Sequence, residues 1–363
     1  MINKEYIVEQ LEKLLKYSDD LFLAQAEKEN ILKDIFISVH NYHYQNCTEY
    51  KNISKNFFEV KTLKNLEKLD SLPFIHAALF KDLNIKSIKD TEILKIMNSS
   101  GTTSQPSKIF LDKETSVLQI KFLGKIISYL LKTNHRIPII FLDYEGMELK
   151  NTARSAGIRG MRFFAKDFIF ALNKEGKLNK GKILSFLEKH KKENICFYGF
   201  TYFIWEILNL MEKENFYIKV NNGILLHGGG WKKLESLNIS EKVFKEKVKK
   251  LLGIEKDNIF EYYGMIEQTG IIHIKCKCGH FHTPYFGDVI IRDIKTLQPI
   301  KNKEGYIQVL APFEISYPGH SVLTEDVGVL LGIDNCPCGW KGKYFKFLRR
   351  IKKSDLRGCS NVI

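Results

Sequence analysis

Between residues 98 and 108 the chain reads Asn-Ser-Ser-Gly-Thr-Thr-Ser-Gln-Pro-Ser-Lys. The hydroxyls of Ser99, Ser100, Thr102 and Thr103 are donors for phosphate oxygens. Gly101 lets the backbone come close, and Lys108 supplies a point charge. The Gly-Lys-Ser/Thr ending of a Walker loop is absent, which excludes that class of phosphate binder. A second chemistry is written in thiols. Cys276-Lys-Cys278-Gly279 and Cys336-Pro-Cys338-Gly339 repeat one Cys-x-Cys-Gly pattern. Paired thiolates at turn-forming glycines suit a tetrahedral Zn²⁺ held by Cys276, Cys278, Cys336 and Cys338. Four thiolates leave no open position, so such an ion is structural. The spacing is one residue shorter than usual, so four reduced cysteines in a β-rich core remain the alternative, and His273, His280 and His282 are nearby substitutes.

The elements that must position these groups follow from composition and periodicity. The 363 residues are 44% hydrophobic, 12% aromatic and 27% charged, which excludes a disordered or collagen-like chain. Lys and Arg total 56 against 42 Asp and Glu, a net charge of +14, but only eight of the 56 are Arg. Scattered Lys beside acidic neighbours describes a solvated basic surface that attracts polyanions such as nucleotides, rather than an Arg-rich nucleic-acid reader. No apolar run reaches the ~18 residues of a membrane span, and the start lacks a signal-peptide core, so a cytoplasmic location is expected. Seven cysteines, an odd number, argue against a disulfide framework, and Cys47 and Cys196 are expected in the core. No Gly-x-Ser-x-Gly is present to suggest a hydrolase.

Residues 1–90 read as helical, with Ile7, Leu11, Leu14 and Leu15 on one face and a second helix over 27–44. Residues 91–269 alternate short apolar runs (93–97, 137–142, 195–198, 223–226, 258–262) with amphipathic stretches (116–131, 182–190, 202–211, 240–252). That alternation predicts an α/β architecture with a layered sheet over 91–269, the region to which the resemblance below assigns nucleotide binding. Over 270–363 helical periodicity gives way to short β-like runs separated by Gly and Pro, predicting a smaller β-rich unit.

The phosphate loop resembles the signature of the acyl-adenylate-forming superfamily, and further segments fit in order: His227-Gly-Gly-Gly-Trp231, Tyr263-Gly-Met-Ile-Glu267 and Leu323-Thr-Glu-Asp326. The resemblance implies that Glu267 binds Mg²⁺ with the ATP phosphates and that Tyr263 lies against adenine. It also implies that Gly228, Gly229 and Gly230 cradle the base and that Asp326 binds the ribose hydroxyls. A carboxylate suits a hard cation, and an aromatic face suits a purine. Ser104 and Glu325 stand where that pattern usually has Gly. Ser71-Leu-Pro-Phe74, Phe80-Lys81, the His-Gly-Gly-Gly-Trp-Lys run and the tail Arg-Gly-Cys-Ser360 are similar to the acyl-protein synthetases of the bacterial luminescence fatty-acid-reductase system, the LuxE type. This implies a large α/β adenylate-forming domain and a smaller β-rich unit, without the usual mobile C-terminal domain that carries a catalytic lysine.

It further implies an ATP- and Mg²⁺-dependent ligase that activates a fatty acid. Cys359 accepts the acyl group and passes it to an acyl reductase or another acceptor protein. Arg357 beside Cys359, with Arg349 and Arg350 nearby in sequence, would enrich the thiolate, and Gly358 keeps the arm flexible. The expected catalytic set is Cys359, Glu267 and Lys108, with Arg349 and Arg350 joining the nucleotide-binding residues. Two rivals remain open: a ligase that acylates coenzyme A, as in phenylacetate-type enzymes, and a zinc-stabilised binding protein with relic adenylation motifs.

Overall fold

The computed structural model describes residues 3–99, 106–150, 152–230 and 237–351. The chain forms two compact units. A discontinuous unit comprises Met1–Lys125 and Met265–Ile363, and a middle unit comprises Ile126–Gly264. The sequence regions divided near 90 and 269 follow local pattern. The units follow packing, which joins the helical start to the β-rich end.

The discontinuous unit begins with α1 (Lys4–Leu15), whose start is capped by the Asn3 side chain accepting from the Tyr6 amide. Its Ile7, Leu11 and Leu14 recur at helical spacing and are buried. Helices α2 (Gln25–Asn46) and α3 (Thr48–Phe57) follow, separated by the buried Cys47. Then come β1 (Ile75–His76), α4 (Leu79–Asp82), the hairpin β2 (Lys95–Asn98) and β3 (Lys108–Leu111), and α5 (Lys113–Leu131).

The middle unit contains β4 (Ile137–Tyr144), α6 (Ala153–Arg162), β5 (Ala165–Leu172), α7 (Lys180–Lys189), β6 (Ile195–Phe200), α8 (Thr201–Lys213), β7 (Gly223–Gly228), α9 (Glu241–Leu252) and β8 (Ile259–Met265). Its strands run parallel in the order β5-β4-β6-β7-β8. Strands covered on both faces must be apolar throughout, and β6 is buried along its whole length, Cys196 included. Ile140, Phe197 and Leu225 from the strands pack with Ile204, Leu208, Phe244 and Val248 from the helices. This is a doubly wound order in which winding reverses between β4 and β6. Such sheets bind ligands in the crevice beyond the carboxyl ends of the strands at the reversal.

Strands β9 (Gln268–Lys275), β10 (Phe281–His282), β11 (Asp288–Arg292), β12 (Gly305–Leu310), β13 (Ser321–Ile333) and β14 (Lys343–Arg350) complete the discontinuous unit. They lie in the order β11-β12-β13-β14-β10-β9, with β1 parallel to β13. Pairing of β13 with β14 sets Asp326 opposite Arg350.

Candidate functional site

Asn98 faces Lys108 in the β2–β3 register, the last pair of the hairpin before the phosphate-loop sequence. Its neck is closed by the Ser99 amide donating to the Ser107 carbonyl at 3.2 Å and the Ser107 amide donating to Ser99 Oγ at 2.8 Å. Lys108 is exposed at the start of β3. Ser100, Gly101, Thr102, Thr103 and Ser104 lie outside the described residues, as do Trp231, Arg357, Gly358 and Cys359.

Glu267 occupies the turn before β9 and is only 6% exposed. Burial pushes its carboxyl pKa up, while the Ser107 hydroxyl and, less strongly, Lys81 and Arg350 favour the charged form. The turn is clamped. Tyr317 donates to the Glu267 carbonyl at 2.8 Å, and the Gln268 amide group donates to the carbonyls of Val309 (3.1 Å) and Gly319 (2.7 Å). Burial opposes the charged form here, and a Mg²⁺ ion, which takes carboxylate and hydroxyl oxygens, would favour it.

Asp326 is buried on β13, and Arg350 grips both of its oxygens, Nε to Oδ1 at 2.8 Å and Nη2 to Oδ2 at 3.2 Å. The guanidinium side of this pair is 71% exposed and the carboxylate side 4%. The Asp326 amide donates to Thr324 Oγ1, whose hydroxyl donates to the Ile307 carbonyl at 2.7 Å. Lys81 reaches both oxygens of Glu325 at 3.1 and 2.9 Å. Arg349, the strand neighbour of Arg350, instead pairs with Glu304 at the surface, 2.6 Å away, as alternation along a strand requires. The discontinuous unit therefore gathers Ser99, Ser107, Lys81, Glu267, Asp326 and Arg350 on adjoining elements, and Arg349 stands apart.

In the middle unit the glycine run lies at the carboxyl end of β7. Gly228 pairs with Tyr262, and a Cβ there would meet that ring and carbonyl at 2.7–2.8 Å. Gly229 and Gly230 have φ of 79° and 65°, the region that favours glycine, and a Cβ on Gly229 would collide with the Phe200 ring. Among the described residues nothing lies within 4 Å of a Cβ placed on Gly230. Thr201 Oγ1 contacts His227 Nδ1 at 2.9 Å and donates to the Gly228 carbonyl at 3.1 Å, fixing the strand end. Tyr263, half-buried, is the strand neighbour of the residue that faces Gly228. Tyr262, whose hydroxyl meets that of Tyr198 at 2.8 Å, is the tyrosine against the glycines.

Sequence reasoning did not single out Asp143. It lies near the carboxyl end of β4, at the winding reversal, buried and paired with Arg154 Nε at 3.1 Å. Burial pushes its pKa up to about 6 against the pull of Arg154. Arg154 also donates to the Tyr202 hydroxyl at 2.8 Å. The signal available was an acid terminating an otherwise apolar strand run.

The thiol groups are brought together with one change of partner. Ligand atoms of Cys276, His282, Cys336 and Cys338 lie within 4.8 Å of one another. His282, a nearby substitute in the sequence, thus joins three of the four expected cysteines. Cys278 is half-buried in the same small cluster. The reason is the β10 strand, which pairs with both β9 and β14 and sets His282 at the sulfurs.

The fold defined by these elements is that of an adenylate-forming ligase. It matches a solved structure of 2-hydroxyisobutyryl-CoA ligase in an open conformation, with 2-HIB-AMP and CoA, at a TM-score of 0.66 and 13% identity, over 94% of this chain and 76% of that one. The chain belongs to the acyl-protein synthetase family, LuxE, whose pattern matches residues 1–363. It is 21% identical over 373 positions to a long-chain-fatty-acid–luciferin-component ligase of Aliivibrio fischeri, covering 99% of this chain and 96% of that protein. A ligase of the same name from Vibrio harveyi is 20% identical, over 92% of this chain and 87% of its own length.

Proposed function

We propose that the protein activates a fatty acid with ATP and transfers the acyl group to its own Cys359 for delivery to an acceptor protein. The observation that carries this reading is membership of the acyl-protein synthetase family over the whole chain, together with the buried Glu267 carboxyl, whose charged form the Ser107 hydroxyl and the charges of Lys81 and Arg350 favour. In the first step a carboxylate oxygen bonds to the α-phosphorus of ATP. The bond from that phosphorus to the bridging oxygen breaks, and pyrophosphate leaves. In the second, the Cys359 sulfur bonds to the acyl carbon, the acyl–phosphate C–O bond breaks, AMP leaves and the thiol proton passes to solvent.

Mg²⁺, when bound by Glu267 with the ATP phosphates, supplies charge neutralisation for the leaving pyrophosphate. The hydroxyl-rich segment 98–108 and Lys108 are assigned to those phosphates. Gly228, Gly229, Gly230 and Tyr263 are assigned to adenine, and the positive φ of Gly229 and Gly230 at the end of β7 supports that. Asp326 is assigned to the ribose. Because Arg350 grips both its oxygens, binding there requires Arg350 to share the carboxylate or turn toward a phosphate. Arg349 keeps a secondary place in the proposal, since its partner is Glu304. The acceptor is a reductase-type or other protein, and the compartment is the cytoplasm.

The test is carboxylate-dependent ATP–pyrophosphate exchange over a panel of acids, with labelled acid followed on a gel. Exchange with long-chain acids and hydroxylamine-labile label on the protein is expected. Absence of exchange with every acid in the panel would sink the proposal.

A further inference from the structure

We infer that Cys276, His282, Cys336 and Cys338 form a tetrahedral Cys₃His site for a zinc-class divalent ion, and that this ion clasps the β9–β10 turn to the β13–β14 turn. The inference does not rest on the acyl-ligase reading.

Distance decides the first half. A tetrahedron with Zn–S near 2.3 Å and Zn–N near 2.1 Å places neighbouring sulfurs about 3.8 Å apart and sulfur and nitrogen about 3.6 Å apart. Cys276 Sγ lies 3.9 Å from Cys336 Sγ, and Cys338 Sγ lies 3.5 Å from His282 Nε2. The cysteines are free thiols, so no covalent bond draws them together. A merely apolar thiol cluster has no use for a fully buried imidazole with its Nε2 aimed at a sulfur. Thiolate and imidazole donors select zinc over Mg²⁺ or Ca²⁺, and four protein ligands leave no position for water or substrate.

The surroundings are arranged around the same point. Each Cys-x-Cys-Gly segment closes a turn, with the Gly279 amide donating to the Cys276 carbonyl at 2.9 Å and the Gly339 amide donating to the Cys336 carbonyl at 3.0 Å. Both glycines have positive φ, 78° and 94°. The Trp340 amide donates to Cys338 Sγ at 3.3 Å, and His280 Nδ1 lies 3.3 Å from Cys336 Sγ, two donors suited to thiolates that already hold a cation. Phe22 stacks on Trp340 at 4.1 Å, and both rings meet the His282 ring edge-on, at 5.7 and 5.4 Å. The site therefore also anchors the segment between α1 and α2.

Full-length protein purified without chelators should carry about one zinc per chain by elemental analysis. Cobalt(II) substitution should give the visible bands of a tetrahedral thiolate site. His282→Ala and Cys336→Ser should lose the metal, Cys278→Ser should keep it, and His282→Cys should restore a binding set. Should the ligand variants fail to fold, wild-type protein stripped by a chelator and titrated with zinc alone gives an independent reading. Its melting temperature should fall on stripping and return at one equivalent. Absence of zinc and of a cobalt spectrum overturns the site. Zinc lost from Cys278→Ser but kept by His282→Ala overturns this ligand set in favour of four cysteines, and zinc kept by both overturns the location.

Discussion

Glu267 and Glu314 are both buried acids with raised pKa, yet their positions call for opposite roles. Glu267 borders Ser107 and feels Lys81 and Arg350, so its charged form has partners, and a cation would complete them. Glu267→Gln keeps shape and removes charge. Since burial already favours the neutral acid, the melting temperature at neutral pH should hold or rise slightly. Pyrophosphate exchange should slow at least tenfold, the loss of about 1.4 kcal/mol of transition-state stabilisation. Unchanged exchange would remove Glu267 from the site. Among the described residues no cation pairs with Glu314. Gln119 donates to its Oε2 at 2.6 Å, and the Tyr317 hydroxyl lies 2.8 Å from the same oxygen while donating to the Glu267 carbonyl. One hydroxyl has one proton, so Glu314 must carry its own to satisfy both contacts. Burial accordingly pushes its pKa from 4.5 up to about 8. The folded state then binds more protons than the unfolded one between those values. The stabilisation is complete below about pH 4.5 and is lost as pH rises toward 8. Glu314→Gln should flatten that part of the stability–pH curve in urea melts and be the more stable protein at pH 8. A slope as steep as the wild type's would show that another group titrates there.

At the scale of elements, the discontinuous unit is tied across sequence by one buried ion cluster. Asp288 on β11 meets Lys28 of α2 at 3.0 Å and Lys343 of β14 at 2.7 Å, and the Gln25 amide group donates to it at 3.1 Å. The two ammonium groups hold its pKa down, to about 2, against the opposing cost of burial, the largest single influence. Asp288→Asn leaves both cations buried without their counter-charge and should cost about 3–5 kcal/mol by urea denaturation. In the wild type this contribution is whole above about pH 3.8 and is lost as pH falls through 2. None of this was legible in the sequence, because Lys28, Asp288 and Lys343 meet only through the pairing of distant strands. The middle unit was far more legible. Its parallel strands are buried apolar runs, and β4, β6, β7 and β8 all contain or overlap a run read from sequence. The runs missed α6, which carries two glycines and three arginines, and β5, which opens Ala-Lys-Asp and is fully buried only toward its end. Among candidate site residues, types were readable and partners were not. The Arg350 grip on Asp326 needs the β13–β14 register, and the exchange of Cys278 for His282 needs β10 between its two neighbours.

In the proposed reaction, activation and transfer make different demands on the whole molecule. Activation needs nucleotide, Mg²⁺ and carboxylate, to which the proposal assigns buried acids such as Glu267 and Asp326. Transfer needs a thiolate delivered to acyl-AMP. The other cysteines are poorly suited to that task. Burial pushes the thiols of Cys47 and Cys196 up to about 12, leaving almost no thiolate at neutral pH. Cys276, Cys336 and Cys338 lie close to one another and to His282, where the proposed zinc would hold them. That leaves Cys278, half-buried in the same cluster, and Cys359, which follows Arg357 and Gly358 near the end of the sequence. Cys359→Ser should therefore retain pyrophosphate exchange near the wild-type rate and lose hydroxylamine-labile acylation, since a serine hydroxyl is scarcely ionised at neutral pH. Cys278→Ser, made in parallel, should keep both. Thioester label persisting on Cys359→Ser would move the acceptor to another cysteine. A wild-type protein that is never labelled yet forms acyl-CoA when coenzyme A is added would replace protein acylation with a coenzyme A ligase.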